Sequence, residues 1–427
     1  MQFNTVKILL VSLRDNFLDS DRVMPPMGVM SLHSLMLDRG IESTIEIDFD
    51  FDNIEKYISY SHIGISCMTP QRDQAYKILD KVKKKLPHIK VILGGPHAKY
   101  YLTDCSKLPF DHIVIGNGEL ALLEILNNGK NISRILEIPI SVEDMNQFPI
   151  PYRSPEFIQQ YCFDIQGIPS TTILTAKGCP MKCTFCEDAK SKVFMYKASN
   201  IGQQIEQAKE AGFRGIMFFD DIFTLSKNRV KELTQEIVKH DIYYRCFGHA
   251  RSMTPEIAQM LVDSGCIETG FGAESGSQKI LDYVEKRVSL KQQMDYVEIC
   301  NERGIKVKAF LMLGLPGEDN NSIQETRKFL QFLMKNSFKN RFGREITNDF
   351  DLTLFFPYKG TQIRDKIDGG YGEIDLFLSQ NTDLLSGFYK GTNGSSESAV
   401  MTSSLTTQQL EESRQELLSE FKPMVVL

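Results

Sequence analysis

The chain of 427 residues has no apolar run that approaches the roughly 18 residues of a membrane-spanning helix; the longest lies near residues 309–315. Its first residues (MQFN) lack a basic region followed by a long apolar region, so no signal peptide is expected. Because 42% of the residues are hydrophobic and 24% are charged, disordered and collagen-like chains are also excluded.

An excess of positive charge is missing as well. The chain carries 49 Lys and Arg against 55 Asp and Glu, which gives a formal net charge of −6. A protein that grips nucleic acid along its length usually has a basic excess. Nucleic acid is therefore not expected as a main partner.

Cysteine is scarce, with nine residues, and the number is odd. A disulfide scaffold is excluded at that density in a chain of this length. The count fits a reducing compartment, so we expect a cytoplasmic protein. A cluster of cysteines in it would serve metal or redox chemistry.

The first 130 residues alternate short β-rich segments with helical ones. Strands are predicted over residues 6–13, 41–48, 62–68, 90–93 and 110–115, and helices over 25–37, 73–85 and 119–126. This alternation of strands and helices predicts an α/β fold that begins with a Rossmann-like, doubly wound parallel sheet. Ligands of such sheets bind outside the carboxyl ends of the strands.

After an irregular, proline-containing stretch at 131–170, a second alternating series begins. Its strands are predicted over residues 171–177, 215–220, 243–249, 267–273, 306–313 and 349–356, and its helices over 201–211, 229–240, 255–264, 290–303 and 323–335. Six units fall short of the eight in a closed α/β barrel, so a partial (β/α)6 barrel is predicted.

The alternation of strands and helices does not continue after residue 361. Residues 391–404 are rich in Ser and Gly and predict a mobile segment, and a last helix is predicted from Thr406 or Thr407 to about residue 421. The predicted organisation is a domain at 1–135, a linker at 136–168, the partial barrel at 169–361 and a short C-terminal helical region at 362–427.

The most specific motif is a triplet of cysteines at the end of the first barrel strand. Cys179, Cys183 and Cys186 have the spacing C-x3-C-x2-C. Random placement of nine cysteines would give on the order of 0.004 such triplets. Thiolates are the ligands of iron–sulfur clusters, and three of them leave one iron of a [4Fe–4S] cluster open to an exchangeable ligand.

Two other interpretations of the triplet are less favoured than a cluster. A zinc site would need a distant fourth ligand, and zinc motifs usually come as two separated pairs, whereas no second C-x-x-C is present. A redox pair would need no third cysteine.

The triplet, with Phe185 before its last cysteine, resembles the signature of the radical S-adenosylmethionine (SAM) superfamily. The resemblance implies that the open iron chelates the amino and carboxylate groups of SAM, which is cleaved to a 5′-deoxyadenosyl radical. It also implies SAM contacts at the strand ends, from Phe185, Asp220, Asp221, Glu274, Gly314 and Pro316. A sixth-strand motif departs from the family pattern, because Lys359 replaces a proline.

The N-terminal part lacks the G-x-G-x-x-G fingerprint after its first strand, which disfavours a dinucleotide. It resembles instead the cobalamin-binding domain of the cobalamin-dependent subgroup of radical SAM enzymes. The contacts implied for cobalamin are Ser66, Cys67, Met68, Thr69, Gly94, Gly95, Pro96, His97, Gly116, Gly118 and Glu119. The D-x-H-x-x-G signature for an axial histidine is absent, so cobalt without a histidine ligand is expected.

The resemblance implies a cobalamin-dependent methyltransferase that acts on an unactivated carbon of a small molecule and takes electrons from a flavodoxin or ferredoxin. A non-methylating cyclisation or rearrangement with the same cofactors stays open, as does a cofactor sensor without catalysis. A tRNA methylthiotransferase is less favoured, because the tail is mixed in charge and not basic.

Overall fold

The computed structural model describes residues 6–14, 22–128, 132–161, 163–335, 337–369, 374–379 and 398–422. The chain divides into two compact units, Met1–Tyr161 and Cys162–Leu427. This division falls inside the stretch predicted as a linker. Within the described ranges, none of the helices has the length and apolar character needed to cross a membrane.

The first unit is built on a parallel sheet of six strands in the order β2-β1-β3-β4-β5-β6. Its strands are β1 (Lys7–Ser12), β2 (Glu42–Glu46), β3 (His62–Ser66), β4 (Lys90–Gly94), β5 (His112–Val114) and β6 (Ile135–Leu136). Five of them were predicted. The sixth lies in the stretch at 131–170 that is predicted to be irregular, because two residues are too few to show a periodic pattern.

Helices cover both faces of this sheet. They are α1 (Met27–Asp38), α2 (Arg72–Lys85), α3 (Pro96–Tyr100), α4 (Leu102–Cys105), α5 (Glu119–Asn128), α6 (Val142–Gln147) and α7 (Pro155–Ile158), with 3-10 turns at Ile54–Tyr57 and Thr69–Gln71. Along β1, Leu9 and Val11 join one buried cluster while Ile8 and Leu10 join another. Burial on both faces explains the continuous apolar run and confirms the doubly wound sheet.

The predicted linker also contains two short helices. Ser141 begins α6 by accepting a 3.0 Å hydrogen bond from the Asp144 backbone N–H, and Ser154 begins α7 in the same way. Pro155 occupies the first helical position, where its missing N–H has no intrahelical partner to lose. Pro155 therefore starts a helix within a stretch whose prolines predict irregular chain.

The second unit is built on a sheet of seven strands in the order β17-β14-β13-β12-β11-β8-β7, parallel except for the edge hairpin β7–β8. The strands of the unit are β7 (Phe163–Ile165), β8 (Ile168–Ile173), β9 (Ala176–Lys177), β10 (Phe194–Met195), β11 (Gly215–Phe218), β12 (Tyr243–Gly248), β13 (Cys266–Glu274), β14 (Lys306–Leu313), β15 (Phe338–Lys339), β16 (Glu345–Ile346), β17 (Asp349–Leu354), β18 (Phe377–Leu378) and β19 (Val400–Met401). Six parallel strands confirm the predicted partial barrel.

The helices of this unit alternate with its strands. They are α8 (Ala198–Glu210), α9 (Lys227–Ile237), α10 (Pro255–Asp263), α11 (Gln278–Tyr283), α12 (Leu290–Asn301), α13 (Asn320–Met334), α14 (Gln362–Gly369) and α15 (Thr407–Phe421). The predicted last helix is α15, with Thr406 as its N-cap. The first half of the predicted mobile segment at 391–404 lies outside the described residues.

The described parts of the C-terminal extension pack on the barrel. Arg414 of α15 donates to the carbonyl of Leu352 at 3.0 Å, and Arg327 of α13 pairs with Glu416 at 2.6 Å. The Thr402 hydroxyl donates to the carbonyl of Glu318 at 2.8 Å. These contacts make the extension part of the second unit.

Candidate active site

The loop that carries the three cysteines, residues 178–192, follows β9 and is held at its start by two aspartates. Asp220 accepts hydrogen bonds from the backbone N–H groups of Thr175 (2.6 Å) and Ala176 (3.1 Å) and from the Thr175 hydroxyl. Asp221 accepts from the N–H of Gly178 at 2.9 Å. Because both aspartates follow β11, the end of that strand fixes the entry to this thiol loop.

Asp220 was predicted as a SAM contact, but its described contacts are structural. It is 3% exposed, and burial raises its pKa to about 6 although the hydrogen bonds from Thr175 and Ala176 act to lower it. Its carboxylate binds the turn after β8. We assign Asp220 to positioning the thiol loop, and its contact with SAM stays a prediction.

The thiol loop closes through backbone constraints that need glycine at its first position. Gly178 has φ +91°, and a Cβ atom there would lie 2.2 Å from the carbonyl oxygen of Lys192. The N–H of Cys179 donates to the Ser191 hydroxyl at 2.8 Å, which joins the two ends of the loop. The loop is thus a pre-shaped ring that carries the thiols.

All three predicted ligand cysteines are free thiols on this loop, Cys183 buried and Cys179 and Cys186 partly so. Burial raises the pKa of Cys186 to about 12, and the negative charges of Cys179 and Cys183 also raise it. The three groups therefore lie close enough to influence one another. In the described part of the chain, no three His, Cys, Asp or Glu side chains converge as ligands of a single metal ion.

A buried ion pair lies beside the thiols. Lys286 and Glu274 are 2.7 Å apart, and each is 8% exposed. Burial alone would lower the pKa of Lys286, but the Glu274 carboxylate keeps it above its usual value, and Cys183 adds to this effect. The Lys286 ammonium also lies 6.0 Å from the centre of the Phe185 ring.

Glu274 ends β13 with φ +62°, a left-handed conformation that is rare for a residue with a side chain. Its carboxylate accepts a 2.7 Å hydrogen bond from the Lys286 ammonium. Sequence reasoning found Glu274 and Phe185 but missed Lys286, because that lysine lies in a short turn after α11 without any motif around it.

A second missed residue is His249, which follows β12 and is 5% exposed. Burial, with the charges of Lys286 and Arg251, lowers its pKa to about 3, so the ring is neutral at neutral pH. Its Nδ1 atom accepts the backbone N–H of Arg251 at 3.3 Å, which leaves the proton on Nε2. That N–H is buried and has no hydrogen-bond acceptor among the described residues.

The loop after β14 contains the predicted SAM contacts Gly314 and Pro316, both buried. Gly314 has φ +92°, and its N–H donates to the Glu318 carboxylate at 2.5 Å. A Cβ atom on Gly314 would lie 3.0 Å from Val400 of the C-terminal extension. The contact of Gly314 and Pro316 with SAM stays a prediction.

In the first unit, the predicted cobalamin residues meet at the carboxyl ends of β3 and β4. Ser66 pairs with Gly94, and the N–H of His97 donates to the carbonyl of Cys67 at 3.0 Å. Gly95 has φ +91°, and a Cβ atom there would lie 2.7 Å from the Cys67 carbonyl oxygen. This backbone contact needs glycine and turns Pro96 into the first residue of α3.

His97 is 1% exposed and uses both ring nitrogens within the unit. Its Nε2 lies 2.7 Å from the Tyr76 hydroxyl, and its Nδ1 lies 3.3 Å from the Thr69 hydroxyl. Burial lowers its pKa to about 4. The described contacts give His97 a structural part in joining α2, α3 and the turn at Thr69, and its contact with cobalamin stays a prediction.

The remaining predicted residues leave room at the same edge. Gly116, after β5, has φ +77°, and a Cβ atom there would meet no other atom within 4 Å, while Gly118 approaches Leu32 and Glu119 begins α5. Met68 is 38% exposed. An open edge with small and apolar residues fits a flat cofactor, and three neighbouring thiols fit an iron–sulfur cluster.

Two family models match the chain, one in each unit. The model of the B12 binding domain matches residues 14–126, and the model of the radical SAM superfamily matches residues 173–330. The second range begins in β8 and includes the thiol loop and the strands β11 to β14.

Curated relatives span most of the chain at low identity. The uncharacterized methyltransferase PH0819 of Pyrococcus horikoshii is 24% identical over 79% of this chain and 77% of its own length. The bacteriochlorophyllide d C-8(2)-methyltransferase of Chlorobaculum tepidum is 24% identical over 81% and 77%. The anaerobic magnesium-protoporphyrin IX monomethyl ester cyclase of Rubrivivax gelatinosus is 23% identical over 62% of this chain and 53% of its own length.

Solved structures share the fold. The methyltransferase TsrM from Kitasatospora setae, with cobalamin and a [4Fe–4S] cluster bound, has a TM-score of 0.70 at 17% identity, over 89% of this chain and 81% of its own. OxsB, with aqua-cobalamin and SAM bound, has a TM-score of 0.74 at 14% identity, over 97% and 67%. This chain therefore belongs to the radical SAM enzymes that carry an N-terminal B12-binding domain, the cobalamin-dependent branch of the superfamily.

Proposed function

We propose that the chain transfers a methyl group from SAM, by way of cobalamin, to an unactivated carbon of a small-molecule substrate. The observation that carries the proposal is the presence in one chain of a B12-binding unit and a three-thiol loop at the mouth of a partial barrel. Relatives named as methyltransferases over more than three quarters of the chain support it.

When bound, the cluster, SAM and cobalamin supply one-electron chemistry and a methyl carrier, which protein side chains lack. The chain supplies ligands and position. Cys179, Cys183 and Cys186 provide three thiolates, and a [4Fe–4S] cluster takes four ligands, so one position stays open for SAM. Asp220 and Asp221 hold the thiol loop in place.

Two donors near the Glu274–Lys286 ion pair suit the polar end of SAM. Lys286 offers an ammonium group, and His249 offers an N–H that has no acceptor within the described chain. A buried donor without an acceptor destabilises the fold, and a bound acceptor removes this cost. We assign both residues to binding SAM, with Glu274 holding Lys286 in position.

Turnover needs electrons and a compartment in which the thiols stay reduced. All eight cysteines in the described ranges are free, which suits the cytoplasm. We propose a flavodoxin- or ferredoxin-type protein as the electron donor. For the substrate we propose a small molecule; in TsrM, a solved structure holds tryptophan with a SAM analogue.

The experiment is anaerobic reconstitution with iron, sulfide and cobalamin, followed by analysis of SAM products with dithionite as reductant. S-Adenosylhomocysteine together with 5′-deoxyadenosine is expected. Cys183→Ala should reduce 5′-deoxyadenosine to the level of SAM without enzyme, while Cys300→Ala, a buried thiol outside the thiol loop, should keep it. Unchanged products in Cys183→Ala would refute the assignment, and the absence of both products in the wild type would favour a non-catalytic cofactor sensor.

A second candidate is a non-methylating cyclisation or rearrangement, which the relationship to the anaerobic cyclase favours. The same assay separates the two candidates. Formation of 5′-deoxyadenosine without S-adenosylhomocysteine supports the cyclase-type reaction, because no methyl group then leaves SAM.

A further inference from the structure

Three phenylalanines form a continuous patch on one face of the second sheet. The Phe219 and Phe247 ring centres are 5.5 Å apart in an edge-to-face arrangement, and those of Phe247 and Phe310 are 5.8 Å apart. Phe219 is 44% exposed, and the other two are partly exposed. We call these three residues the aromatic shelf.

The shelf lies on the face whose side chains alternate with fully buried ones. In β12 the residues Tyr243, Arg245 and Phe247 are partly exposed, whereas Tyr244 and Cys246 are buried. The buried set packs with the helices, so the shelf belongs to the concave side of the partial barrel. An exposed phenylalanine at a strand end on this side is a surface that a ligand can reach.

The rings of the shelf are positioned by a glycine between them and by two neighbouring cations. Gly270 lies in β13, between β12 with Phe247 and β14 with Phe310. A Cβ atom on Gly270 would lie 2.9 Å from both rings. Two residues before each ring on the same strand, the Arg245 guanidinium lies 5.1 Å from the centre of Phe247, and the Lys308 ammonium lies 5.9 Å from the centre of Phe310. These cations hold the rings by cation–π attraction.

The shelf borders the candidate active site. Phe219 directly precedes Asp220 and Asp221, which hold the thiol loop. Phe247 stands two residues before His249. A molecule lying on the shelf would therefore be next to the group of residues assigned to SAM.

We propose that the aromatic shelf binds an aromatic ring system of the substrate. This inference rests on the proposed function and names its substrate class. Aromatic rings prefer edge-to-face or offset contacts, and such a pair contributes about 0.5–1.5 kcal/mol beyond the area it buries. Phe219 already makes an edge-to-face contact with Phe247, and its exposed part offers the same contact to a third ring. A saturated ring of equal size lacks this contribution.

The test compares 2-naphthol with decahydro-2-naphthol, which has the same carbon skeleton without aromatic rings. Both are dialysed to equilibrium against the reconstituted full chain without reductant, and the free compound is measured in the protein-free chamber. The shelf should bind 2-naphthol about two- to tenfold more tightly than its saturated analogue. Equal binding of the two compounds would refute an aromatic preference, and no binding of either would refute the site.

Matched variants locate the binding. Phe219→Leu keeps an apolar side chain and should remove the preference for 2-naphthol, whereas Phe342→Leu, an exposed phenylalanine packed on Tyr243, should keep it. Wild-type affinity in Phe219→Leu would overturn the proposal. Because SAM is not consumed here, a failure in dialysis is separate from a failure of methyl transfer, which the product assay measures.

Discussion

Among single residues, the polar groups that no sequence motif reveals lie in the turns that follow a helix and a strand. Lys286 and His249 stand outside any motif, and their roles depend on each other and on Glu274. Cys179, Cys183 and Cys186 were found because ligand spacing on one short loop is visible in the sequence. A buried donor without an acceptor becomes visible only when its surroundings are known.

His249 provides a test at this level. His249→Phe removes the Nε2 donor and should weaken SAM binding about tenfold, whereas His249→Gln, which can place an amide N–H nearby, should stay within about threefold of wild type. Equilibrium dialysis of labelled SAM without reductant measures this. His88→Phe, an exposed histidine of the first unit, is the control. Equal SAM affinity in His249→Phe would contradict the assigned role.

At the level of strands and loops, most predicted elements are confirmed, and the differences have local reasons. The strand β6 and the helices α6 and α7 are too short for a periodic pattern, and all three lie in the stretch at 131–170 that is predicted to be irregular. The first barrel strand was predicted as one segment, but Asp220 binds the turn at Thr175 and Ala176 and separates β8 from β9.

The thiol loop should depend on the backbone of Gly178. Gly178→Ala would place Cβ 2.2 Å from the Lys192 carbonyl at φ +91°, so the loop must open and iron binding should fall strongly. Gly212→Ala has a similar φ of +93° but open space, and should cost only about 1–2 kcal/mol of stability while keeping the iron. Iron and sulfide per chain measure the outcome; full iron in Gly178→Ala would show that the loop tolerates the shift.

Across the whole molecule, buried carboxyl groups connect stability to pH. Glu318 is fully buried in the loop after β14. Burial raises its pKa to about 7, although hydrogen bonds from Gly314 and Leu315 act to lower it. The unfolded chain has the usual value of 4.5. Because the folded pKa is the higher one, this group contributes stability that is complete below about pH 4.5 and is lost as the pH rises through about 7.

The loss from Glu318 should reach roughly 3 kcal/mol above pH 7, since each pKa unit corresponds to about 1.36 kcal/mol. Urea unfolding at pH 5 and pH 8 measures it. Glu318→Gln should be less sensitive to pH than wild type, whereas Glu325→Gln, an exposed glutamate of α13, should match wild type. An equal pH dependence in wild type and Glu318→Gln would contradict the prediction.

The order of residues alone was enough for the α/β class, the doubly wound sheet, the six barrel strands and the thiol triplet. Periodic burial and ligand spacing are local properties, which can be recognised from residues that are close together in the sequence. The tertiary structure decided that Asp220 and His97 make structural contacts, that Lys286 stands beside the thiols with His249 near it, and that three phenylalanines share one face. Each of these depends on residues distant in sequence coming together, which only packing of the whole sheet brings about.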